Sequence, residues 1–259
     1  ELLNEIFNRI NKNGIPLNDY EIYSATWSQQ KCTVNNLDVV ERVIKKYWVL
    51  SDDGYEIDGF DATEMRTSRQ LTAFEFLFGL GKHWNETFWC LKVDSKNRED
   101  DVNEIGFEIV DACISQSKSI SKLDKALKNI NINKLQRRIE EAITFVSNAI
   151  AIVGTFKGNK RKFNILHSKY QIISMVAFVF REMYDINNLD VKRTEWNQKS
   201  VWLSKNLLAH YVADIISGDW HDGGGTKVYS FIKEGRYLEE ISKSRWESLL
   251  DNYFEKQLQ

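Results

Sequence analysis

Proline is nearly absent: Pro16 is the only one in 259 residues. Proline breaks helix interiors, so its scarcity leaves long helices unopposed. Glycine is also sparse, at thirteen, which argues against a chain built from irregular turns. Cysteine is limited to Cys32, Cys90 and Cys113, an odd number without Cys-x-x-Cys spacing. That excludes a disulfide frame and reads as buried thiols of a cytoplasmic protein. Long hydrophobic runs are missing too. The most apolar stretch, Ile172 to Phe180, is interrupted by Ser174 and bounded by Lys169 and Arg181. It is too short to span a bilayer and reads as a buried core helix. There is no Gly-x-x-x-x-Gly-Lys-Ser/Thr loop, no repeat of 20–50 residues and no low-complexity tract.

What remains is ordinary globular composition, 42% hydrophobic and 28% charged, in a chain long enough for one or two cores. Helical periodicity recurs in most windows and predicts a mainly α fold, a multi-helix bundle. Leu37, Val40, Ile44 and Trp48 mark one helix, and Ser51-Asp52-Asp53-Gly54 a turn. Tyr55 to Phe60 reads as a short extended piece. Thr67 or Ser68 is expected to cap a helix burying Leu71, Phe74, Leu77 and Phe78, with Gly79 and Gly81 loosening its end. The aromatics that follow, Trp84, Phe88 and Trp89, read as core. Asp94 to Asp101 is polar and reads as a linker. Beyond it, Ile105, Ile109, Ala112 and Cys113 make one apolar face, and Leu123, Leu127 and Ile130 a second. Asn133 is expected to cap a helix with Leu135, Ile139, Ala142, Ile143, Val146, Ile150 and Val153 inward, stopped by Gly154. Leu166 to Tyr184, apolar nearly all round, should be the central helix. Trp196 to Ile216 presents Val201, Leu208, Val212 and Ile215, and Ser244 with Glu247 suggests a capping box for the last helix.

Near the start, Leu3, Ile6, Phe7 and Ile10 fall on one helical face. Asn13-Gly14 and Pro16 stop that helix. Asn18 caps the next one with Glu21 three residues on, flanked by Leu17 and Ile22 at the staple positions. The pattern Phe-x-Arg-Ile-Asn-x-x-Gly-x-Pro-Leu-x-x-x-Glu-Ile resembles the ParB-like family that supplies the N-terminal module of GmrSD-type, modification-dependent restriction systems. Arg69-Gln70-Leu71-Thr72-Ala73-Phe74-Glu75 is similar to that family's Leu-Thr-x-Phe-Glu helix. Ser217-Gly218-Asp219-Trp220, Gly235-Arg236-Tyr237 and Trp246 are similar to its Gly-Asp loop and Tyr-containing segment. The resemblance makes Arg9, Asn11, Gly14 and Glu21 motif residues. It implies that the N-terminal helices are the tail end of a ParB/sulfiredoxin-like α+β module over 1–93, extended by a helical bundle over 102–259. The family's Asp-Gly-Gln-Gln-Arg motif and HNH histidines do not occur here. The resemblance therefore places catalysis outside this sequence, which is expected to be an internal fragment of a nuclease or NTP-dependent restriction enzyme involved in phage defence. It needs no cofactor of its own, while nucleotide and divalent metal belong to the longer protein. Its partners are DNA and other domains of the same parent chain, with no membrane.

Charge is distributed unevenly. Residues 115–181 hold thirteen Lys and Arg against Asp124, Glu140 and Glu141, a net +10 inside a chain of net −2. No acid occurs between Glu141 and Glu182. Such a block is the electrostatic footprint of phosphate-backbone binding, or else a solvated face paired with the acids around Glu99. Lys157, Lys160, Arg161 and Lys162, joined by Arg137 and Arg138, are the candidate nucleic-acid contacts. Asp219, His221 and Asp222 read as a polar turn rather than a metal site, and His83, His167 and His210 stand isolated. Two functions remain open: a nuclease-protein segment whose helices bind DNA or couple nucleotide sensing to a nuclease domain, and a non-catalytic helical interaction or structural domain.

Overall fold

The computed structural model describes residues 31–88, 99–115, 130–154, 168–220 and 224–258. The motif residues Arg9, Asn11, Gly14 and Glu21, the helix expected around Leu123 and the Lys157–Lys162 segment lie outside them. The described residues are mainly α, with nine helices and one two-stranded sheet. Two compact units divide the chain: Glu1–Glu86, Asp94–Glu108 and Ile120–Arg137 in one; Thr87–Val93, Ile109–Ser119 and Arg138–Gln259 in the other.

In the first unit, β1 (Lys31–Thr33) pairs antiparallel with β2 (Gln70–Thr72), Cys32 opposite Leu71. Both of those side chains are buried while their neighbours face outward, the alternation of a half-buried ladder. The extended structure therefore falls here and not at Tyr55–Phe60. That segment is irregular, turning at Gly59 with φ of 70°, and has no strand to pair with. Helix α1 (Leu37–Asp52) is capped by Asn36, whose side chain accepts from Asp38 N. It buries Val39, Val40, Val43 and Ile44, whereas Leu37 and Trp48 at the ends of the predicted stripe are exposed. Helix α2 (Ala62–Ser68) is capped by Asp61 and ends at Arg69, which takes a left-handed conformation with φ of 52°.

Helix α3 (Ala73–Thr87) corrects two expectations. Its cap is neither Thr67, whose hydroxyl bonds Thr63 O, nor Ser68, whose hydroxyl accepts from Gln70 N. Thr72 does that work. Its hydroxyl accepts from Glu75 N at 3.2 Å while the Glu75 carboxylate accepts from Thr72 N at 2.5 Å. This is a reciprocal capping box, and it accounts for the spacing of the Leu-Thr-x-Phe-Glu motif. Nor does Gly79 loosen the helix. A Cβ there would overlap the Val39 side chain and lie 3.3 Å from Val39 O, so Gly79 lets α3 close on α1. Phe76, Leu77, Phe78, Leu80 and Trp84 are buried, and Phe74 is half-buried. Cys32, a buried thiol of this unit, is pushed up to about 12 by burial, aided by the Glu75 charge, which keeps it in the thiol form.

Helices α4 (Glu99–Ile114) and α5 (Ile132–Ile150) follow in the chain. Helix α5 is capped by Asn131, which accepts from Lys134 N, rather than by Asn133. It buries Leu135, Ile139, Ala142, Ile143, Val146 and Ile150 as predicted, then tightens into a 3-10 turn ending at Gly154. Helix α6 (Lys169–Met183) is the central helix: every residue from Gln171 to Phe180 is buried. Helices α7 (Trp196–Ser217), α8 (Gly224–Glu234) and α9 (Lys243–Leu258) complete the second unit. Ser242, not Ser244, caps α9, accepting from Arg245 N. Glu247 instead pairs with Lys243 at 3.5 Å.

Among the described glycines of the first unit, Gly106 on α4 meets the closest backbone neighbour. A Cβ there would overlap Leu77 O and lie 2.8 Å from Leu77 C. Backbone cannot rotate away as a side chain can, so Gly106→Ala must push α4 off α3. We expect a loss of about 2–3 kcal/mol in urea denaturation, the upper part of the overpacking range, with an unchanged helical circular dichroism spectrum.

Candidate functional site

The second unit is organised on the polar side of α7. Two apolar stripes share this helix at helical spacing. Val201, Leu208, Val212 and Ile215 were expected inward, but Val201 is 67% exposed and the other three are only half-buried. The buried face carries Leu203, Leu207 and Tyr211 together with Asn206, His210 and Asp214. Three polar residues at i, i+4 and i+8 on a buried face require partners, and the connection between α8 and α9 supplies them.

Asp214 is the hub. Its side chain has 0% exposure. One carboxylate oxygen accepts from the Arg236 guanidinium, the other from Trp220 Nε1 at 2.8 Å and Gln171 Nε2 at 3.4 Å. Arg236 also reaches Asp219 at 3.1 Å and lies 4.0 Å over the Phe231 ring. Trp220 packs edge-on against the same ring. Burial pushes the Asp214 carboxyl above the usual carboxylate range, with Arg236 opposing. Gly218, with φ of 73°, turns the chain so that Asp219 and Trp220 fold back onto Asp214. The two halves of the Ser-Gly-Asp-Trp and Gly-Arg-Tyr pattern, far apart in sequence, thus meet around one carboxylate.

A second set of bonds latches the next turn. Asn206 Nδ2 donates to Tyr237 O and Glu239 O, each at 3.1 Å. His210 Nε2 meets Glu239 O at 2.8 Å. Tyr237 is wholly buried, and its hydroxyl donates to Ser174 Oγ at 3.0 Å on the central helix. His210 is therefore not isolated, as its linear neighbourhood suggested. Its partners lie 29 residues away. Burial lowers its pKa from the ordinary imidazole value, although the Glu239 carbonyl and Asp214 pull the other way.

Beside this network lies a cleft of about 440 Å³. Asp214, Asp219, Glu234, Glu239 and Glu240 line it, against two guanidiniums, Arg236 and Arg245. Its surface suits a hydrogen-bond donor or a cation better than a phosphate. Of the residues read as a polar turn, Asp219 pairs with Arg236; His221 and Asp222 lie outside the described residues. Among the described residues no group of three His, Cys, Asp or Glu is placed to hold a metal.

The candidate nucleic-acid residues are only partly described. Arg137 is exposed on α5. Arg138 is committed to the fold: it donates to Glu141, to Leu189 O at 2.8 Å and to Asp190 O at 2.9 Å, and lies over the Tyr184 ring. Burial acts to raise the Glu141 carboxyl, but hydrogen bonds from Tyr184, Lys192 and Arg138 prevail and hold it below the usual range. Arg181, the last cation of the basic block, donates to Ala112 O and Ser115 O, capping the C-terminus of α4. No described helix is long and apolar enough to cross a membrane. No protein-family model, no curated protein and no solved structure matches the chain.

Two tests follow from this geometry. Removing Arg236 leaves a buried, uncompensated carboxylate, so Arg236→Gln should cost about 3–5 kcal/mol in denaturation. Adding Asp214→Asn should recover part of that loss, a coupling read from the double-mutant cycle. The second test is pH dependence. The folded state disfavours protonated His210, so its contribution is fully present above the unfolded value of 6.5 and is lost as pH falls through the lower folded value. Wild type should lose more stability between pH 7.5 and 5.5 than His210→Gln; equal losses would contradict the buried neutral ring.

Proposed function

We propose that the chain is a helical, nucleic-acid-contacting segment of a ParB-like, restriction-type protein, and that the catalytic groups and any nucleotide or divalent metal belong to other domains of the parent chain. The family assignment rests on the three motifs. The contact rests on one observation: thirteen cations against three acids over residues 115–181, with no acid between Glu141 and Glu182. Arg138 and Arg181 also hold Glu141 and backbone carbonyls of the fold, which weighs against them as the main phosphate contacts. Lys157, Lys160, Arg161 and Lys162, with Arg137 of α5, are the groups proposed for DNA. Lys and Arg that neutralise phosphates release counterions, so binding of this kind is independent of sequence and steeply salt-dependent.

A second reading has its own support. Helix α9 exposes Leu250, Tyr253, Phe254 and Leu258 at helical spacing, the last at 88% exposure. An apolar stripe of this kind suits a protein-interaction domain. One measurement separates the two. Lys160, Arg161 and Lys162 changed together to Ala should flatten the log–log salt slope of duplex DNA binding by about two to three units, one per lost phosphate contact. A folded triple variant that binds DNA as wild type does at low salt would exclude these residues and favour the interaction domain.

A further inference from the structure

His210, in the wall of the cleft beside Asp214, carries a buried acceptor that the network leaves unused. His210 is 6% exposed and stands in the cleft wall. Its Nε2 faces Glu239 O at 2.8 Å, and a carbonyl oxygen can only accept. Nε2 therefore carries the proton. A neutral ring protonated there presents a bare lone pair at Nδ1, and Nδ1 has no hydrogen-bond partner. An acceptor stripped of water and left unpaired is unfavourable, and a donor that enters to meet it removes that cost.

The surrounding charge selects the donor. Arg236 is neutralised by Asp214 and Asp219, so it offsets none of the remaining acids. Glu234, Glu239 and Glu240 are exposed along the cleft, with Arg245 the other lining cation. A phosphate would meet more negative than positive charge here. A metal ion lacks a described set of three ligands. We infer that the cleft binds an organic cation, an ammonium or guanidinium group that donates to His210 Nδ1 while the neighbouring glutamates balance its charge. This site is separate in chemistry from the basic segment proposed for DNA, and it stands or falls independently of that reading. The volume of about 440 Å³ accepts either a small free amine or one basic side chain of a peptide.

The variant His210→Gln tests this directly. Glutamine keeps an N–H for Glu239 O, and with that N–H in place its amide oxygen is displaced from the Nδ1 position, so the latch is retained while the proposed contact is lost. Agmatine and an Ac-Gly-Arg-Gly-amide peptide serve as probes, followed by calorimetry and by the ¹⁵N shifts of the His210 ring. We expect saturable binding of at least one probe, movement of the Nδ1 resonance, and affinity weaker by about tenfold in His210→Gln, the effect of losing one hydrogen bond to a charged group. Preference for agmatine identifies a free amine, and preference for the peptide identifies a protein side chain. A Glu234→Gln, Glu239→Gln double variant, which leaves His210 in place, should weaken binding several-fold even if His210→Gln fails to fold. No saturable binding up to about 10 mM, well beyond the range of ordinary specific ligands, would overturn the proposal. Equal binding by both variants and wild type, or tighter binding of Zn²⁺ or inorganic phosphate, would overturn it as well.

Discussion

A carboxylate removed from water must be met from every side, and Asp214 sets that demand for the second unit. Its two oxygens take an Arg from beyond α8, a Trp from the turn after α7 and a Gln from the central helix. Three segments distant in sequence are thereby fixed to one point. Hydrophobic burial alone would allow α7 to rotate, because apolar residues lie on both of its faces. A buried charge has far fewer acceptable positions than a leucine, since an unpaired one costs several kcal/mol. The network thus selects which stripe of α7 faces inward, even where it adds little net stability.

The same logic explains what could be read from the sequence. The central helix was legible because ten consecutive buried positions leave no face to choose. Helix α5 was legible because its apolar residues occupy one face only. In helix α7 two stripes of equal periodicity compete, and the partners that decide between them lie at 236–239. The role of His210 is hidden for the same reason. Nothing within four residues of it in sequence shows that a carbonyl at Glu239 will meet its ring. The signal that was present is the i, i+4, i+8 spacing of Asn206, His210 and Asp214, a polar row embedded among Leu203, Leu207 and Tyr211.

The caps show a finer limit. Asn131 and Asn133 stand two apart, as do Ser242 and Ser244, and in both pairs the first residue caps the helix. Each member of such a doublet can place its oxygen over a free backbone N–H, so local chemistry does not distinguish them. Packing of the first apolar residue does. At Thr72 the box itself was visible as Thr-x-x-Glu, but Leu71 fits a helical stripe and a strand equally well. Its pairing opposite Cys32, a contact across 39 positions, settles it as strand.

Seen through these contacts, the family-like motifs within the described residues are folding devices first. Leu-Thr-x-Phe-Glu closes a capping box, and the Ser-Gly-Asp-Trp and Gly-Arg-Tyr pieces assemble the shell of Asp214. A short motif with such a role can occur for the sake of the fold alone, so its presence does not by itself carry an activity. The basic block divides in the same manner. Arg181 caps the end of α4 and Arg138 holds the carbonyls of the loop at Leu189 and Asp190, work that any helical bundle requires. Function therefore has to be sought apart from these folding contacts: in the basic run of residues 157–162 of the sequence on one hand, and on the other in His210, whose Nδ1 has no hydrogen-bond partner and whose ring stands in the wall of an acidic cleft. The two have opposite electrostatic preferences. A polyanion and an organic cation can be held by one chain at the same time only if they engage different surfaces, which the segregation of charge along this sequence allows.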